Sequence, residues 1–200
     1  MRLKPAIGLP LIFAVVIALD LLGAGDALEY RRGALASEPW RLFTGHFVHI
    51  TLLHAALNGV ALLLLGRLFA DRLRASEQYG LLVGAPMLVS LSMWAALPEL
   101  QWYRGLSGVL HAFYFAGCVL WIATSAARGR WLAIAALVGG TMKVLLEQPW
   151  DASFPMHDLL RVAVVPQAHL LGALLGTAAG LVLRQRKPEA KPEQQPHIRP

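Results

Sequence analysis

Gly105-Leu106-Ser107-Gly108-Val109-Leu110-His111 opens an apolar run that continues to Thr124. Crossing the hydrocarbon of a bilayer takes about 20 consecutive apolar residues in helical form. The run therefore reads as one membrane-crossing helix with a serine, set among glycines, at its mouth. A hydroxyl there is a candidate nucleophile if the rest of the chain supplies a base and donors for the charge that an attack creates.

Working outward, runs of similar length recur at about 7–25, 50–70, 79–97, 131–148 and 165–183, with ends uncertain by about 2–4 residues. The composition agrees: 56% hydrophobic, 15% charged and a mean hydropathy of +0.53, too apolar for an ordinary soluble domain. The expectation is an all-α membrane protein, one six-helix domain over residues 1–183. The tail over 184–200, rich in Pro, Gln and charge, has too little apolar content to fold and is expected to be disordered. A signal peptide over the first run is the alternative, given Arg2, Lys4 and the small residues near Gly23. Asp20 inside the run and the missing A-x-A site favour a retained helix. Cys118 is the only cysteine, so no internal disulfide forms.

Charge sets the orientation. With the N-terminus inside, Arg2, Lys4, Arg67, Arg72, Arg74, Arg128, Arg130, Arg184, Arg186, Lys187, Lys191 and Arg199 fall on the inner side. Arg31, Arg32, Arg41, Arg104 and Arg161 fall outside, and Lys143 within the fifth run. The bias predicts both termini in the cytoplasm. Trp94, Trp102, Trp121, Trp131 and Trp150 lie near span ends, as an interfacial belt requires. The net charge of +6 belongs to this pattern, and no basic face interleaved with aromatics suggests nucleic acid. Residues 26–49, too long for a tight turn and carrying Trp40-Arg41, read as a structured, partly inserted outer loop.

Polar groups inside spans are costly and need a partner or a task. They are His46, His49, His54 and Asn58 around the second run, Ser107 and His111 in the fourth, and His169 in the sixth. Small residues recur every fourth position in two runs, as Gly108, Ala112, Ala116 and as Ala168, Gly172, Gly176, Gly180. Such stripes let helix axes approach to about 6–8 Å. Ser107 precedes one stripe and His169 follows the start of the other, so the same packing brings hydroxyl to imidazole. That pair is either a nucleophile with its base or two polar groups satisfying each other in a bundle. Asp151 and Asp158 lie in an outer loop, and no acid is placed as a third member.

His54 and Asn58, one turn apart, share a helix face. They read as oxyanion donors beside the Ser107 amide, or as interhelical hydrogen bonds. His49 reads as a brace for the loop. His46, His49 and His54 also allow a metal reading, but no cysteine, carboxylate partner or HExxH pattern accompanies them. Lys143 and Glu147 share a face and are expected to neutralise each other. His111, one turn after Ser107, is a rival base; His169 is preferred because it approaches from across the cleft.

Trp40-Arg41, His49, His54, Asn58, Gly105-Leu106-Ser107-Gly108 and Ala168-His169-Leu170-Leu171-Gly172-Ala173-Leu174-Leu175-Gly176 resemble, in order, the motifs of the rhomboid family of intramembrane serine proteases. The resemblance covers nearly all the membrane region. It implies the six-transmembrane-helix rhomboid fold, a Ser107–His169 dyad without an acid, an oxyanion site from His54, Asn58 and the Ser107 amide, and no metal or organic cofactor. It also implies a cavity open to the outer side, with the fifth helix and the loop after it as gate and cap. Many bacterial relatives carry tyrosine at the position of His111. The short chain, His111 and the Val164-Val165-Pro166-Gln167-Ala168-His169 approach resemble the rhombosortase subfamily. That resemblance implies a bacterial inner-membrane enzyme with its site facing the periplasm, whose protein substrates end in GlyGly-CTERM anchors: Gly-Gly, a transmembrane segment and a basic end. In this reading His111, His49, Gly105 and Gly108 support the site. The competing functions are a non-catalytic binder of membrane helices and a histidine-lined metal carrier.

Overall fold

The computed structural model describes residues 8–148 and 165–186. Arg2 and Lys4, the outer segment with Trp150, Asp151, Asp158, Arg161 and Val164, and the tail from Lys187 onward lie outside the described residues. The long helices are α1 (Gly8–Leu21), α4 (Leu52–Leu68), α5 (Ala75–Ala96), α6 (Ser107–Thr124), α7 (Ala127–Leu146) and α8 (Pro166–Arg184). Between α1 and α4 lie two single-turn helices, α2 (Gly25–Leu28) and α3 (Arg41–Thr44). There too is β1 (Tyr30–Arg31), which pairs antiparallel with β2 (Trp102–Tyr103) ahead of α6.

Among the described residues four helices, α5, α6, α7 and α8, are long and apolar enough to cross a membrane. A fifth span results if the bent pair Arg41–Phe47 and Leu52–Leu68 counts as one; the described part of α1 is apolar but shorter. The protein is a multi-pass membrane protein.

α6 is the centre of the bundle. Its buried residues, among them Val109, Ala112, Phe113, Phe115, Ala116, Cys118 and Leu120, point to all sides of the helix, as in a helix enclosed by neighbours. α8, α7, α5 and α4 surround it. Lipid tails are as apolar as leucine, so hiding apolar surface adds little to helix association here; close van der Waals contact and hydrogen bonds must do it. The α6–α8 seam shows how. A Cβ built on Gly172 would sit 1.9 Å from Gly108 O, one on Gly176 2.2 Å from Ala112 O, and one on Gly180 3.0 Å from Ala116 O. Backbone lies against backbone along the whole stripe.

α1 packs on α4 through the same device, with Gly59 facing the Phe13 ring and Gly66 facing Leu9. The segment over residues 26–49 is folded rather than a simple turn. Arg41, 6% exposed, donates through Nη1 to Asp26 O at 3.0 Å and Glu29 O at 2.9 Å, and its Nε pairs with Glu38. Arg104 binds Glu29 (2.8 Å) and Asp26. The β1–β2 pairing, Tyr30 opposite Tyr103, then fixes this segment to the strand that leads into α6.

Candidate active site

The approach to Ser107 is held from three directions. Gly105 has φ of +130°, where a side chain is strained, and a Cβ there would lie 3.0 Å from His54 Cε1. Its N–H donates to Gly45 O at 3.1 Å, and its carbonyl accepts from the Tyr103 hydroxyl at 2.7 Å. Complete burial pushes the Tyr103 phenol up to about 12, so it remains a protonated donor. The Leu106 amide points at His49 Nε2, 3.4 Å away. His49 Nδ1 donates to Asp20 Oδ2 (3.1 Å), and the His49 backbone N–H donates to Asp20 Oδ1 (2.8 Å). An amide can only donate and a carboxylate only accept, so the His49 proton is on Nδ1. Asp20, the charged residue inside the first apolar run, thus braces the loop before Ser107 through His49.

Ser107 is the first residue of α6, where backbone amides have no partner within the helix. Its Oγ is 2.9 Å from His169 Nε2. His169 is in the first turn of α8, which begins at Pro166, a residue with its φ preset for a helix start. Gln148 Nε2 ties this start to the end of α7 by donating to Pro166 O (3.0 Å) and Val144 O (2.9 Å).

That tie brings Glu147, whose spacing predicts a pair with Lys143, up to His169 as well. Glu147 Oε1 is 2.7 Å from Lys143 Nζ, the expected pair, while its Oε2 is 3.0 Å from His169 Nδ1. The i, i+4 spacing of Lys143 and Glu147 signals the first contact; nothing along the chain signals the second. His111 lies flat against His169, ring centroids 4.3 Å apart and planes 15° from parallel. Its Nδ1 faces the Ser107 carbonyl at 2.7 Å and its Nε2 faces Lys143 Nζ at 3.2 Å. The contact of His111 within its own helix is to the Ser107 carbonyl; the serine hydroxyl faces His169.

These groups line a cavity of about 630 Å³ between α4 and α7, together with His54, Asn58, Leu57, Leu110, Gly139 and Gly140. Thr51 caps α4 by accepting the His54 N–H at 3.1 Å, which sets His54 and Asn58 on the face toward the cavity. Asn58 Nδ2 and His54 Nδ1 are buried with no hydrogen-bond partner. Unpaired buried polar atoms are rare enough to call for an explanation; the Asn58 amide can only donate, the His54 nitrogen donates in one of its two tautomers, and a transient negative charge in the cavity would engage both. The site can therefore move a proton from hydroxyl to imidazole and offers donors beside it.

Of the three histidines in the metal reading, His46 bonds Ser90 Oγ (2.9 Å) and His49 bonds Asp20. Among the described residues the metal-type donors that converge are instead His111, Glu147 and His169, with ligand atoms within 4.8 Å of one another. The Lys143 ammonium stands against two of these three as a built-in cation.

The family model described as the Rhomboid domain matches residues 36–186, which takes in the bent pair, α5 to α8 and every residue of the site except Asp20. No curated protein matches the chain.

Proposed function

The chain belongs to the rhomboid family, and on that footing we propose that it is an intramembrane serine endopeptidase working through a Ser107–His169 dyad. The observation that carries the reading is the 2.9 Å contact between Ser107 Oγ and His169 Nε2 inside a cavity. His169 Nε2 takes the hydroxyl proton as Oγ attacks the scissile carbonyl carbon. The oxyanion is met by Asn58, His54 and the Ser107 amide. Collapse breaks the C–N bond, the departing amine takes the proton back from His169, and water then hydrolyses the Ser107 ester by the same route. His111 stacks on the base and His49 braces the loop, while Gly105 and Gly108 leave room for the backbone.

The substrates in this reading are membrane anchors, reached from the bilayer between α4 and α7. The rhombosortase assignment rests on His111 in place of tyrosine and on the approach to His169. It makes GlyGly-CTERM tails the substrates, with cleavage on the periplasmic side of a bacterial inner membrane. Both termini of the six-span domain are then cytoplasmic, and the tail over 184–200 plays no part in the chemistry.

A co-expressed secreted reporter ending in Gly-Gly, an apolar span and a basic cluster tests the reading. The wild type should release it, Ser107→Ala should not, and a reporter with Val-Val for Gly-Gly should stay anchored. Equal release of both reporters would remove the sorting assignment and leave a general anchor protease. Release by Ser107→Ala would remove the dyad.

A further inference from the structure

We infer that Glu147 is a positioning residue for the base: with Lys143 it fixes the one proton arrangement in which His169 can activate Ser107. The inference rests on the dyad reading and extends it to a four-residue chain, Lys143–Glu147–His169–Ser107. Lys143 Nζ lies 2.7 Å from Glu147 Oε1, Glu147 Oε2 lies 3.0 Å from His169 Nδ1, and His169 Nε2 lies 2.9 Å from Ser107 Oγ.

Donor and acceptor chemistry decides where each proton sits. An ammonium has only donors and a carboxylate only acceptors. The ammonium therefore faces Oε1, and Oε2 must receive a proton from His169, which puts the imidazole hydrogen on Nδ1. Nε2 is left with its lone pair toward the serine hydroxyl, the form a general base needs. Lys143 also faces His111 Nε2 at 3.2 Å, so the His111 hydrogen is on Nδ1 and goes to the Ser107 carbonyl. No member can change its proton without breaking a neighbour's bond. The carboxylate is 10% exposed and the imidazole 7%, so water competes little for the Glu147–His169 contact, while the Lys143 side chain is 45% exposed. As His169 gains a proton in the reaction, Glu147 faces an imidazolium and offsets its charge.

A sharp consequence attaches to Glu147→Gln. A carboxamide has a single oxygen, and Lys143, having no other use for an acceptor there, takes it. The NH2 then faces His169 Nδ1, forces the hydrogen to Nε2 and leaves no lone pair for Ser107. Removing the competing cation with Lys143→Met lets the amide turn and present its oxygen to His169.

The test uses the full-length protein in detergent and a fluorophosphonate, so that no substrate need be known. The labelling kinetics are split into a maximal rate and a half-saturating concentration. Glu147→Gln is expected to lower the maximal rate at least about 100-fold, in line with wrong-tautomer losses in catalytic triads, with the half-saturating concentration within about twofold of wild type. Lys143→Met added to Glu147→Gln is expected to recover at least about tenfold. A Glu147→Gln rate within about threefold of wild type, or no recovery in the double variant, overturns the inference. Neither result touches the dyad, which fails only if Ser107→Ala or His169→Ala keeps activity. Should Glu147→Gln fail to fold, ¹⁵N spectra of the wild-type histidines decide: a hydrogen on His169 Nδ1 supports the inference, and one on Nε2 overturns it.

Discussion

His169→Ala is expected to slow fluorophosphonate labelling of Ser107 on the order of 10⁴-fold, while unfolding stays cooperative and the thermal melting point in detergent falls by about 10 °C or less. A serine hydroxyl attacks slowly until a base takes its proton, and single losses from such assemblies cost on the order of 10⁴ to 10⁶ in turnover. At about 1.36 kcal/mol per tenfold, the loss corresponds to about 5 kcal/mol of transition-state stabilisation. The folded state loses less, about 3 kcal/mol. It gives up the contacts with Ser107 and Glu147 and the stacking on His111, each worth about 1 kcal/mol. A polar pair that served only to hold two helices together would show the fall in melting point without the kinetic defect.

Gly172→Ala is expected to do both kinds of damage. Its new Cβ would lie 1.9 Å from the Gly108 carbonyl oxygen, a contact that no rotamer change relieves because both partners are backbone. α8 must move away from α6, at a cost of about 1–3 kcal/mol or more, and His169 rides on α8 one turn from the clash. Melting temperature and labelling rate should fall together. Gly80→Ala in α5 is the control: nothing lies within 4 Å of its Cβ position, so stability should hold or rise slightly. If Gly172→Ala melts and reacts like wild type, the seam between α6 and α8 is not what sets the distance between Ser107 and His169.

The long helices were legible because each apolar run overlaps one, but several ends moved for local reasons that hydropathy does not weigh. α5 begins at Ala75 rather than near residue 79 because Arg74 N–H donates to the Glu77 carboxylate at 2.7 Å, closing a polar first turn. α7 likewise starts at Ala127, taking Arg128 and Arg130 into its first turn. α1 stops at Leu21, ahead of Gly23, whose φ is +68°. The facing of the α6 and α8 stripes was readable because small residues every four positions have few other uses in lipid.

The carboxylate beside His169 was not legible. Glu147 has a complete local explanation in Lys143, and only the placement of α7 against α8, fixed in part by Gln148, shows that its second oxygen is engaged. Asp20 is a similar case. A carboxylate within an apolar run announces a partner, yet a separation of 29 positions from His49 gives no period to follow. Tyr103 carries no signal along the chain because its hydroxyl works on a backbone carbonyl, that of Gly105.

Peptide mass spectrometry of the full-length protein after fluorophosphonate treatment tests at once whether Ser107 is the nucleophile and whether His169 activates it. A single adduct is expected on the peptide containing Ser107, lost in His169→Ala protein that still melts cooperatively. An adduct on a different residue, or one on Ser107 that forms at the wild-type rate without His169, would contradict the dyad.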